Sequence, residues 1–186
     1  MVLTPSTMLP LGTPLPAFAL EAVQGGLFST RQLEARPVLV LVLCAHCPFV
    51  IHIEPELSRL QHDFSPQVQI VAISSNNTTT HPQDGPEGLR DQARRNGWQF
   101  PYLWDADQSV AHALYAACTP DLYLFDASHH LVYRGQLDGS RPSNSVPLDG
   151  RDLRSAIQAL LAGEPINPEQ RPSIGCNLKW HPNQQA

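Results

Sequence analysis

Pro37-Val-Leu-Val-Leu-Val-Leu43 runs directly into Cys44-Ala-His-Cys47. The first part is a continuous run of β-branched residues and leucine. That pattern fits a central strand buried on both faces, as parallel sheets require. From Ala45 to Phe64, the residues Phe49, Val50, Ile53, Leu57, Leu60 and Phe64 share one helical face. Pro55 is expected to kink that helix, because its ring removes one ladder hydrogen bond. Val68-Gln-Ile-Val-Ala-Ile73 reads as a second buried strand. Strand, helix and strand form a βαβ unit with parallel strands and a right-handed crossover.

On the N-terminal side, residues 1–16 carry four prolines and read as an extended arm without helix. Phe18 and Leu20 alternate, as do Leu27 and Phe28 beyond Gly25-Gly26, which predicts a short hairpin. On the C-terminal side, Ser74 to Gly85 is polar and reads as a surface loop. Helices are expected from Pro86 to Asn96, stopped by Gly97, and from Gln108 to Ala117. Leu122–Phe125 and Leu131–Leu137 are joined too closely for anything but an antiparallel pair. A last helix runs from Asp152 to Leu161, and residues 164–186 form a C-terminal tail. The expected class is α/β, a central mixed sheet flanked by helices, in one domain over 1–186.

Composition narrows the function. The chain has 186 residues, 42% of them hydrophobic, enough for a core that needs no disulfide framework. Twelve basic residues against 17 acidic ones give a net charge of −5, and Lys179 is the sole lysine. No basic run exists to neutralise phosphates, so a nucleic-acid partner is not expected. No apolar run approaches the ~18 residues of a membrane helix, so no membrane is expected either. Met1 to Leu9 lacks the charged and apolar regions of a secretory signal, and the expected location is the cytoplasm.

Four cysteines, at 44, 47, 118 and 176, are too few for an extracellular scaffold. Two of them, three positions apart where a strand gives way to a helix, point to redox or metal chemistry. The free N–H groups and positive dipole end of a helix stabilise a thiolate. A thiolate is the nucleophile of disulfide exchange. His46 adds a cation beside it, favouring the reduced form and raising the reduction potential. A zinc ribbon would need a second close pair, and Cys118 and Cys176 are far apart in sequence, so no metal is expected. Asp105 and Asp107 read as helix caps, and the histidines other than His46 as surface or satisfied residues.

The chain resembles the bacterial thioredoxin-like redoxins, in the branch grouped with alkyl hydroperoxide reductase and thiol-specific antioxidant domains. The resemblance rests on Gly12-x3-Pro16-x-Phe18-x-Leu20, the strand entering Cys44-x-x-Cys47, Ile70-Val-Ala-Ile-Ser-Ser75 and Cys118-Thr-Pro-Asp-Leu-Tyr-Leu-Phe125. Pro172-Ser-Ile-Gly-Cys-Asn-Leu-Lys-Trp180 resembles the tail of a bacterial subfamily. It implies a thioredoxin-like fold with a hairpin extension and a cis Pro120 facing the cysteines. Thr119 would then offer its backbone to an incoming extended chain. Cys44, nearer solvent, would attack with a depressed pKa, and Cys47 would resolve. Leu43 and Ala45-His46 replace the usual Trp before the pair and Gly-Pro within it, and no acid lies in 37–43.

The function expected is a thiol–disulfide oxidoreductase that needs no cofactor. Its partners would be a protein or small-molecule disulfide and an unidentified cellular reductant. A thiol peroxidase would want Pro-x-x-x-Thr-x-x-Cys; Leu41 stands three before Cys44, where the hydroxyl belongs. A non-catalytic redox-sensing binding module is the third alternative. Cys118 reads as a small buried hydrophobe or an auxiliary thiol, and Cys176 as a tail anchor or a resolving thiol.

Overall fold

The computed structural model describes residues 3–182. Ten strands and four α-helices follow in order: β1 (Leu3–Pro5), β2 (Ala19–Ala22), β3 (Leu27–Ser29), β4 (Val38–Val42), α1 (Pro48–Phe64), β5 (Gln69–Ser74), α2 (Pro86–Asn96), β6 (Tyr102–Trp104), α3 (Ser109–Ala113), β7 (Cys118–Thr119), β8 (Asp121–Phe125), β9 (Leu131–Arg134), α4 (Arg151–Ala162) and β10 (Ile174–Asn177). Seven strands form a mixed sheet in the order β3-β2-β6-β5-β4-β8-β9. β4 and β5 are parallel, with Val38 opposite Gln69, while β4 and β8 are antiparallel, with Val42 opposite Asp121.

Every residue of β4 is buried, because the sheet is covered on both sides. Leu39, Leu41 and Leu43 pack with Val50, Ile53, Leu57 and Leu60 of α1, Leu89 of α2 and Ile157 of α4. Val38, Val40 and Val42 point the other way, to Val110 and Ala111 of α3, with Leu114 just beyond it. A continuous apolar run was therefore needed; an alternating one would have left a polar row against one layer.

The hairpin of β2 and β3 turns at Gly25 and Gly26, as expected, with both glycines at positive φ. Gly97 ends α2 in the left-handed conformation. Three expectations need correction, and one strand, β6, has no counterpart in the sequence reading. α1 begins at Pro48, three residues later than read. A proline has no N–H to leave unbonded at a helix start, and the amides of Ala45 and His46 are used elsewhere. The helix expected over Gln108–Ala117 shrinks to α3, and the chain turns at Tyr115 with φ 51° to enter β7. β6, only three residues long, has no readable periodicity. The loop read as surface contains buried Ser75, Asn76, Asn77 and Asp84.

The two termini are not merely an arm and a tail. β1 pairs with β10, and β10 pairs with β7, in a second, three-stranded antiparallel sheet. The arm's residues 1–2 and the tail's residues 183–186 lie outside the described residues.

Candidate active site

The end of β4 delivers Cys44, a short loop carries Ala45 and His46, and Cys47 caps the N-terminus of α1. That loop is clamped by Asp84. One carboxylate oxygen accepts the N–H groups of Ala45 (2.8 Å) and His46 (3.2 Å). The other lies 2.6 Å from His46 Nδ1 and accepts Asn76 Nδ2 at 2.8 Å. Asp84 is completely buried, so these four partners replace the water that its charge would otherwise hold. His46 remains half-buried and stacks on His81, with ring centroids 4.7 Å apart. His81, read as a surface residue, thus belongs to the site, and burial pulls its pKa down.

Behind Cys44 stands a second polar group. Gln92 Nε2 donates to the Cys44 carbonyl at 3.2 Å and to Glu54 Oε1 at 2.8 Å, and Tyr102 donates its hydroxyl to Gln92 Oε1 at 3.0 Å. Burial raises the Tyr102 pKa well above its ordinary range, so it stays a donor.

Thr119 joins the two cysteines. Its hydroxyl lies 3.4 Å from Cys44 Sγ, and its carbonyl oxygen lies 3.2 Å from Cys47 Sγ. The Thr119–Pro120 peptide is cis. The backbone of Thr119, expected to be open to an incoming chain, is already paired with β10, with Cys176 opposite Thr119. Pro120 lines a small hollow with Phe49, His52 and Ile174.

All four cysteines are buried free thiols. Cys44 is not the more exposed thiol that the resemblance implied, since it and Cys47 are both completely buried. Cys44 donates toward Cys47, lies away from water and faces the Asp84 charge, and all three effects drive its pKa well up. Cys47 is pulled down to about 5, first by the Cys44 thiol and then by Cys176 and the N–H groups of Val50 and Cys176, against the cost of burial. The helix-start argument holds, but it favours the residue at the cap, Cys47, rather than the one three positions earlier. Burial raises Cys176 to about 12 and Cys118 further still.

Cys44, His46 and Asp84 offer ligand atoms within 4.8 Å of one another, the group among the described residues best placed for a cation. Asp84 already accepts four donors there, so a metal would have to displace the clamp. Asp84, Gln92 and Glu54 escaped the sequence reading, because a lone acid before Gly85-Pro86 looks like any loop residue. Asp105 caps α3 as expected, accepting the amides of Val110 and Ala111.

The AhpC/TSA family pattern matches residues 11–134, two-thirds of the chain including both Cys44 and Cys47. The chain belongs to the AhpC/TSA family. Among solved structures, an uncharacterised conserved protein from Geobacillus kaustophilus is similar at 45% identity, over 98% of both chains, with a TM-score of 0.95. A hypothetical protein from Sinorhizobium meliloti 1021 is 40% identical, over 96% of this chain and 99% of that one, with a TM-score of 0.94. A secreted Mycobacterium tuberculosis disulfide oxidoreductase is 19% identical, over 77% of this chain and 96% of that one, with a TM-score of 0.59. That last likeness shows the thioredoxin-like fold alone. No curated protein matches the chain. Membership in this family supports a redox role. Among the described residues, no helix is long and apolar enough to cross a membrane.

Proposed function

We propose that this redoxin is a thiol–disulfide oxidoreductase that works through Cys44 and Cys47, with Cys47 as the thiolate. The observation that carries the reading is Cys47 at the cap of α1, facing the N–H of Val50 and thiols on both sides. These donors stabilise a negative sulfur away from water.

In this reaction the Cys47 thiolate attacks one sulfur of a substrate disulfide, and the other substrate sulfur leaves as a thiolate that takes a proton. Cys44 then gives up its proton and attacks the Cys47 sulfur. The remaining half of the substrate leaves as a thiol, and the Cys44–Cys47 disulfide remains. Two electrons have passed to the substrate, and a cellular dithiol returns them. His46, oriented through Nδ1 by Asp84, stands beside the pair to exchange protons. The substrate is a disulfide-bearing protein or small molecule, and the chemistry suits a reducing compartment such as the cytoplasm.

One observation favours a second reading, slow thiol peroxidase turnover. The Cys47 thiolate would attack the peroxide to give a sulfenate, and the Thr119 hydroxyl, 3.4 Å from Cys44 Sγ, supplies at the pair a donor that the sequence lacks three residues before the cysteine. Thiol trapping across a glutathione redox series, with peptide mapping, tests the main proposal. Cys44 and Cys47 should become protected together in one two-electron step. A pair that stays alkylatable across the whole series, while peroxide is consumed, gives the site to the peroxidase. A wild-type protein that catalyses no exchange, with partner binding that survives in Cys47→Ser, would make the chain a sensing module.

A further inference from the structure

The second sheet brings a third thiol to the pair. β10 lies against β7 with Cys176 opposite Thr119 and Asn177 opposite Cys118. Residues directly opposite across antiparallel strands project to the same face. The Thr119 side chain reaches Cys44, so Cys176 projects toward the same cysteines. Cys176 packs with Cys44 and Cys47 in one buried cluster. Cys118, one residue along β7, projects to the opposite face.

The approach depends on Gly175. A Cβ there would run into the Thr119 carbonyl oxygen and come within 2.7 Å of its carbon. On the far edge of β10, β1 sets Leu3 opposite Cys176, and the Ser6 N–H donates to the Ser173 carbonyl at 2.8 Å. The chain's own C-terminal strand therefore sits where an extended substrate would pair, with a cysteine at the position of attack.

We propose that Cys176 is a second exchange partner of Cys47, so that this protein closes two alternative internal disulfides, Cys44–Cys47 and Cys47–Cys176. This rests on the oxidoreductase reading, which supplies the first of them. In the step itself, the Cys176 sulfur attacks Cys47 Sγ. The Cys47–Cys176 bond forms, the bond to Cys44 breaks, and Cys44 leaves as a thiolate that takes up the proton Cys176 has lost. No electrons enter or leave. The oxidised protein then holds its C-terminal strand covalently to the start of α1, and Cys44 is again a free thiol.

Trypsin separates the thiols. Cuts after Arg31, Arg59, Arg154 and Lys179 place Cys44 and Cys47 on peptide 32–59 and Cys176 on peptide 155–179, since Arg36 and Arg171 precede proline. The full chain is oxidised with oxidised glutathione, quenched with an alkylating agent, digested, and its cross-links are sequenced by fragmentation. The wild type should give both the closed 32–59 loop and a 32–59/155–179 cross-link joined at Cys47. In Cys44→Ser the cross-link should become the main product, and in Cys176→Ser it should vanish. If the wild type closes Cys44–Cys47 with no cross-link, and Cys44→Ser gives only a glutathione adduct on Cys47, Cys176 is a packing residue and the proposal is overturned alone. If neither the wild type nor Cys176→Ser closes Cys44–Cys47, the oxidoreductase reading falls with it. The wild-type cross-link needs no substitution, so a misfolded variant does not mask the answer.

Discussion

In the seven-stranded sheet, the central strands β4 and β8 are five-residue runs buried throughout, and β5 is buried in five of its six positions. In the three-stranded sheet, β1, β7 and β10 are two to four residues long, and two of them come from the chain's ends. The first sheet is held by leucine and valine packed between helix layers. The second is held by backbone pairing and by the absence of a side chain at Gly175. Cys44 and Cys47 sit where the two meet, so one sheet supplies rigidity and the other supplies the closing surface. Losses in the first should be global, whereas losses in the second should act locally on the thiols.

The largest expected effect lies in the large sheet. Leu41→Ala removes a fully buried side chain between β5 and β8, and urea unfolding should show a loss of about 3–4 kcal/mol. Alkylation of the thiols under native conditions should rise only in proportion to the unfolded population. Gly175→Ala comes next. The new Cβ must push β10 off Thr119, at a cost of about 1–3 kcal/mol. Here native-state alkylation of Cys44 and Cys47 should rise far more than global stability accounts for. Equal rises in the two variants would erase the distinction between the sheets.

Asp84→Asn weakens the clamp on the Ala45-His46 loop and should cost about 1–2 kcal/mol, one charged acceptor being replaced by a neutral one. The lost negative charge should also lower the Cys44 pKa, shown by a Cys44 alkylation profile that moves to lower pH. The pH dependence of stability gives a further test. Cys47 titrates at about 5 in the folded protein and near the ordinary thiol value, 9.0, in the unfolded chain. Between those values the unfolded chain binds the extra proton, so this contribution is complete above pH 9 and fades as pH falls toward 5. Urea midpoints across that window should rise with pH in the wild type, and more shallowly in Cys47→Ser.

The hairpin, the parallel β4–α1–β5 unit, α2 and the β8–β9 pair were legible because each carries its own periodicity or turn residue. Cys44 and Cys47 were legible because their spacing and their place after a buried run are local facts. Asp84 was not, since nothing near it says that its carboxylate turns back to meet two amides 38 and 39 residues earlier. The surroundings of the two thiols were not legible for a similar reason. A thiol's pKa is set by the donors and charges around it, and here Cys176 and Asp84 arrive from distant parts of the chain.

By itself, then, the sequence determined the layered α/β fold and the position of the cysteine pair, because burial patterns and helix starts are written in neighbouring residues. Only the tertiary structure decided what surrounds each thiol, what covers the pair and that Cys176 lies beside it. Those properties depend on contacts across more than 70 residues, such as Cys47 with Thr119, which no local pattern encodes.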